Sequence, residues 1–167
     1  QLVSAGLSGN LVQGEDFLQA SSFDVVRDAV PDCDRLLQQL LQKYQRAEQQ
    51  ATIKSGTFSV LFTPRAAAST IGGLFRTILS GQAVAQKSSP LAGKIGEKLF
   101  DQRLTIFEDP HIGASACAFD DEGTLTSRKV LIEQGVVNEF YWDRRWAARA
   151  GCEPTGNGFR ERLSSPR

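Results

Sequence analysis

From Asp32 onward Leu36, Leu37, Leu40, Leu41, Tyr44 and Ala47 recur at three- and four-residue spacing among Gln, Lys and Arg. That spacing predicts an amphipathic helix ending near Gln50, with Pro31, Asp32 and Asp34 as its start signals. Before it, residues 1 to 23 mix short apolar stretches (Leu2, Val3; Leu11, Val12; Phe17, Leu18) with Gly6, Gly9 and Gly14. These read as short strands and turns. After the break at Ser55-Gly56, the β-branched and aromatic run Thr57 to Phe62 predicts a buried strand ended by Thr63-Pro64. Residues 65 to 80 return to helical spacing, with Ile71, Leu74, Phe75 and Ile78 on one face and Gly73, Thr77 and Ser80 on the other.

Gly81 to Gly96 reads as a long loop with a helical turn at Gly93 to Leu99. Beyond it, apolar runs at 104–107, 114–119, 130–132 and 136–142 are separated by the turn sequences Asp109-Pro110, Asp121-Glu122-Gly123 and Gln134-Gly135. Such punctuation predicts an antiparallel meander. Asp143 is placed to cap a short helix, Arg144 to Ala150, stopped by Gly151, and Pro154 to Gly158 must be loop. The fold class is α+β: an amphipathic helix and a strand-helix unit packed with a β-meander. Two regions are expected, residues 1–53 and 54–167, with no internal repeat.

Composition narrows the function classes. The 167 residues carry 19 Lys+Arg against 19 Asp+Glu, which removes the basic footprint of a nucleic-acid or anionic-membrane binder. No apolar run approaches the roughly 18 residues of a spanning helix, and the N-terminus lacks a signal-peptide pattern. Cys33, Cys117 and Cys152 lie far apart and are odd in number, so they favour a reducing cytoplasm over a disulfide framework. Each reads as a small buried apolar residue. One histidine, His111, argues against a zinc site built within this chain. The absence of any Met, including an initiator, marks the chain as an expected internal piece of a longer protein.

Candidate chemistry is sparse. Ser88 to Ile95 approaches a phosphate loop at Gly93-Lys94 but has Ser for the first Gly and Ile for the hydroxyl. Asp120-Asp121-Glu122-Gly123 offers oxygens to a hard cation but lacks the alternation of a calcium loop, and turn chemistry makes it a solvated acidic hairpin. A nucleophile-base pair of His111 with Cys117 or Cys152 needs a contact that spacing does not supply. Phe140, Tyr141, Trp142 and Trp146 read as core before they read as an aromatic binding patch.

Several segments resemble, in common order and spacing, the central part of the TldD/PmbA family, also called the modulator of DNA gyrase family: Gly81, Lys87-Ser88-Ser89, Ala92 to Glu97, Phe119 to Gly123, Ile132 to Val136, Ala147-Ala148-Arg149 and Pro154 to Gly158. The similarity covers residues 54 to 160. In the TldD branch of that family an HExxxH motif on the helix before this loop binds a metal, and its glutamate activates water for peptide hydrolysis. The corresponding positions here are Gly72, Gly73 and Thr77, of which none can supply that chemistry. The resemblance therefore points to the PmbA or TldE branch.

That branch implies a non-catalytic, cytoplasmic subunit. Its partner would be a TldD-like, HExxxH-bearing chain that alone holds zinc, and the pair would degrade or mature unfolded peptides, with no contact to nucleic acid or membrane. Ser88, Ser89, Asp120, Asp121 and Glu122 are the implied peptide or subunit contacts. The small face at Gly73, Thr77 and Ser80 has two readings: a helix loosened by its glycines, or a surface open to close approach by a partner or peptide backbone. Two rival functions stand beside the main one: an active peptidase with its site outside this window, and a homodimeric scaffold or interaction protein without a peptidase role.

Overall fold

The computed structural model describes residues 1–48 and 51–160, which form two compact units: residues 1–59 with 113–115, and residues 60–112 with 116–160. The mixed helix and antiparallel sheet agree with the α+β class.

In the first unit, β1 (Leu2–Gln13) and β2 (Asp16–Arg27) pair antiparallel in unbroken register from Leu2↔Arg27 to Gln13↔Asp16. One long hairpin thus replaces the expected short strands. Gly6 and Gly9 lie inside β1 rather than in turns, because pairing along the full length supplies the order that their missing side chains cannot. At Gly9 the gap has a use: an added Cβ would sit 2.7 Å from the Tyr44 hydroxyl. Tyr44 belongs to α1 (Cys33–Ala47), which Asp32 caps by accepting the Arg35 N–H at 2.9 Å. Leu36 and Leu40 are buried, while Leu37 and Leu41 are exposed. The apolar stripe is therefore narrower than the sequence spacing suggests. Ser22 donates to the Gln39 side-chain oxygen at 2.7 Å, and Arg35 pairs with Asp24. The expected helix end at Gln50 lies outside the described residues.

The buried strand expected at Thr57 to Phe62 does not form. The segment has no regular structure, and Phe58, Val60, Leu61 and Phe62 are exposed, Leu61 to 94%. A β-branched run becomes a strand only when a neighbouring strand takes its hydrogen bonds, and neither sheet in the described residues pairs with it.

Thr63 caps α2 (Pro64–Ala67), which runs through a π-helical turn (Ala68–Gly72) into α3 (Gly73–Ile78). A π turn adds a residue to the helical repeat and rotates the residues beyond it about the helix axis. This is why Ile71, inside the π turn, falls out of phase with the residues beyond it and is exposed, whereas Phe75 and Ile78 pack on the core with Leu79 fully buried beyond them; Leu74, in the same regular turn as Phe75, is also exposed.

The expected loop at 81–96 begins instead as a short helix, α4 (Gly81–Ala85), and Gly93 to Leu99 forms turns without a helix. Close approach explains the glycine that starts α4. Gly81 N–H donates to Tyr141 O at 2.7 Å, and an added Cβ would sit 2.5 Å from that oxygen. The meander is β3 (Ile106–Glu108), β4 (Lys129–Glu133) and β5 (Val136–Val137) in order β3-β4-β5, antiparallel throughout. The run at 114–119 contributes only a bridge, Phe119↔Leu125, and 138–142 only the parallel bridge Ser80↔Tyr141. Asp143 caps α5 (Arg144–Ala150), which ends at Gly151 with φ 71°.

The core of this unit is Leu79, Leu91, Leu131, Ile132, Val137 and Phe140, all at most 3% exposed, each contributing about 1.5–3 kcal/mol by burial. Phe140 and Trp146 are buried, in line with the core reading of the aromatic cluster. The cysteines depart from theirs: Cys33 and Cys152 are exposed and only Cys117 is partly buried, since both exposed residues sit at helix ends that turn to solvent.

Candidate functional site

One cavity of about 600 Å³ opens in the second unit. Its walls come from the α3–α4 junction (Arg76, Thr77, Ser80, Gln82), from Ser88, from Glu108 on β3, from Tyr141 to Trp146 and from the Asn157–Arg160 loop. The α3–α4 side is locked to the 141–142 segment by backbone bonds, Gly81 N–H to Tyr141 O and Tyr141 N–H to Leu79 O at 2.9 Å.

The polar floor is a chain of satisfied groups. Lys129, with its side chain only 3% exposed, reaches Glu108 Oε2 at 2.7 Å. Asn157 Nδ2 donates to both Glu108 oxygens at 3.1 and 2.9 Å, and its Oδ1 accepts from Thr155 Oγ1 at 2.7 Å. Thr155 in turn accepts the Trp142 N–H at 2.7 Å. This chain ties β3, β4 and the 154–158 loop into one wall. Tyr141 stands beside it, and its phenol is pushed up to about 12, first by burial and then by the Glu108 charge, against the opposing pull of Arg76. Its hydroxyl therefore stays protonated as a donor.

The acidic hairpin braces the same loop and the start of α5. Asp120 is buried and accepts three backbone N–H groups: Glu122 at 3.0 Å and Thr124 at 2.8 Å through Oδ1, and Gly158 at 2.8 Å through Oδ2. Asp121 accepts the Arg160 N–H at 2.6 Å, and Glu122 accepts the Arg144 N–H at 2.8 Å. An added Cβ on Gly158 would lie 2.5 Å from the Glu122 carboxyl carbon, so a side chain there would push the Glu122 carboxylate aside. Asp120 and Asp121 thus hold the 158–160 loop and Glu122 holds the start of α5, rather than standing free as in the solvated hairpin read from the sequence.

Of the serine pair, Ser88 lines the cavity and donates to Ala83 O at 3.1 Å. Ser89 is buried: it donates to Ile78 O and accepts from Leu91 N–H at 3.1 Å, closing the end of α3. Of the degenerate metal-motif positions, Thr77 lines the cavity and Gly72 and Gly73 stand at the π turn that precedes it. Thr77 Oγ1 donates back to Gly73 O at 3.1 Å. A Cβ on Gly73 would meet nothing within 4 Å among the described residues, so no close neighbour among them dictates that glycine. The residues at these positions do not fit a metal, and among the described residues no group of three His, Cys, Asp or Glu side chains could hold one. His111 is exposed, and desolvation followed by the Glu153 charge raises the Cys152 thiol, which disfavours a thiolate nucleophile there.

Sequence reasoning missed Glu108, Lys129, Arg76 and Asn157 as one site. A lysine inside a β-branched run, Lys129 before Val130-Leu131-Ile132, was the available signal, since a strand interior buries lysine only with a partner.

The family model described as the PmbA/TldA metallopeptidase C-terminal domain matches residues 55–167. The chain is 31% identical over 100 residues to Metalloprotease PmbA of Escherichia coli O157:H7, covering 59% of this chain and 22% of that protein. It is 27% identical over 164 residues to Metalloprotease MJ0996 of Methanocaldococcus jannaschii, covering 95% of this chain and 35% of that one. Among solved structures, TldE from Thermococcus kodakarensis superposes with a TM-score of 0.79 at 30% identity, over 99% of this chain and 38% of its own. The chain spans about a fifth to two fifths of the length of these relatives. No helix among the described residues is long and apolar enough to cross a membrane.

Proposed function

The chain belongs to the PmbA/TldD metallopeptidase family, and from that premise we propose that its parent is a non-catalytic, TldE-like subunit of a two-chain metallopeptidase acting on unfolded peptides in the cytoplasm. The observation that carries the reading is the state of the three metal-motif positions. Gly72 and Gly73 offer no side chain, and Thr77 spends its hydroxyl on the helix backbone, while the cavity beside them keeps a fully connected polar floor.

In this reading zinc belongs to the HExxxH-bearing partner, and the cavity faces the peptide chamber or the subunit boundary. Ser88 contacts peptide directly, while Ser89, Asp120, Asp121 and Glu122 shape the wall that does so. The names of the PmbA and MJ0996 relatives favour a second reading, a parent that is itself a peptidase through residues outside this chain.

The test is peptide cleavage by the full-length protein, alone and mixed with an HExxxH-bearing homologue from the same genome, with a chelator control. Activity that needs both chains and is abolished by chelation is the expected result. Cleavage by the full-length protein alone would support the second reading instead, and no cleavage with stable self-association would favour a scaffold.

A further inference from the structure

We propose that the cavity recognises a peptide carboxylate, with Arg76 as the residue that receives it. The inference rests on the peptide-handling reading above and names what the cavity selects.

The argument is one of unspent charge. Four charged side chains line the cavity: Glu108, Asp143, Arg76 and Arg160. Glu108 is occupied by Lys129 and Asn157. Asp143 is buried and caps α5 through the Trp146 N–H at 2.6 Å. Both carboxylates are therefore satisfied by the protein itself and offer little to a cationic ligand. The two guanidinium groups are different: among the described residues neither has an ion-pair or hydrogen-bond partner for its side chain. Arg76 is the better placed, because it lies at the α3 wall close enough to Tyr141 for its charge to act on that phenol.

Chemistry then selects the ligand. A guanidinium receives a carboxylate through two parallel N–H donors, and the hydroxyls of Tyr141 and Ser80 and the amide of Gln82 line the same space as further donors. A monoanion suits walls that already hold two carboxylates, whereas a phosphate dianion would meet their repulsion at close range. About 600 Å³ holds a short peptide end, within the range of small-ligand clefts. The carboxylate comes either from a peptide C-terminus or from an Asp or Glu side chain.

Binding of three peptides to the full-length protein separates these sources: an acetylated trialanine with a free C-terminus, its C-terminal amide, and the amide with a central Glu. A terminal carboxylate predicts that the first binds about tenfold or more tightly than the second; a side-chain carboxylate predicts that preference for the third. In Arg76→Gln the selectivity should collapse to near unity while the melting temperature stays unchanged, and Arg76→Lys should recover part of it. Equal binding of all three peptides overturns the carboxylate inference and leaves the peptide-handling reading intact. If none binds to the full-length protein, alone or with its partner, both fall. Undiminished selectivity in Arg76→Gln removes Arg76 from the site.

Discussion

The Glu108–Lys129 pair should be asymmetric in a way that a mutant cycle can measure. Lys129 has a side chain 3% exposed and one anionic partner, at 2.7 Å, whereas Glu108 is 31% exposed and is also served by Asn157. Glu108→Gln keeps the shape and the Asn157 contact but strands a buried ammonium. Removing one partner of a buried pair costs about 3–5 kcal/mol; the residual amide contact puts this variant near the lower figure. Lys129→Met replaces the lysine stem with apolar bulk, and the carboxylate left behind can rehydrate, so the cost should be about 1 kcal/mol. The double variant buries no unpaired charge and should resemble Lys129→Met alone, a coupling of about 2–3 kcal/mol. The assay is hydrogen exchange of the Lys129–Glu133 strand in the full-length protein, where about 3 kcal/mol appears as exchange faster by about a hundredfold. If Glu108→Gln costs no more than Lys129→Met, or if the two add within about 0.5 kcal/mol, the account of the floor as a charge-satisfied unit is refuted.

Two further outcomes test the cavity walls. Asp120→Asn turns an amide donor or loses an acceptor against the Gly158 N–H, and should cost about 1.5–3 kcal/mol, read as faster exchange at Gly158 and loosening of the 156–160 loop; protection unchanged at Gly158 would show that the hairpin does not hold the wall. Tyr141, with its phenol pushed up to about 12, should ionise well above the ordinary tyrosine value near 10. The native state keeps that proton longer than the unfolded chain, so this contribution to stability is intact below about pH 10 and is lost as pH rises through about 12. The difference in tyrosinate absorbance between the protein and Tyr141→Phe checks it, and a midpoint near 10 would mean the ring is solvated.

Local signals were legible wherever a single element carries its own reason. The Asp32 and Asp143 caps, the Gly151 stop and the Gln134-Gly135 turn all appear as read from the sequence, because capping and turn chemistry act within a few residues. Thr57 to Phe62 failed for the opposite reason: its composition is that of a strand, but strand formation belongs to a pair of segments and neither sheet supplies the second. The apolar face read over residues 65–80 was misjudged at Ile71, since a π turn shifts its phase against every position beyond it and leaves no mark in residue type.

By itself, then, the sequence determined the α+β class, the family resemblance and the absence of a strong metal ligand at Gly72, Gly73 and Thr77, since each depends only on which residues stand at fixed spacing. Only the tertiary structure decided that Glu108, Lys129 and Asn157, separated by up to 49 positions, share one floor. It alone decided that the acidic hairpin clamps the Gly158 loop and that Arg76 is left with an unspent charge. Such groupings are set by which chain segments pack against one another, and burial then fixes which charges must find partners and which remain open to a ligand.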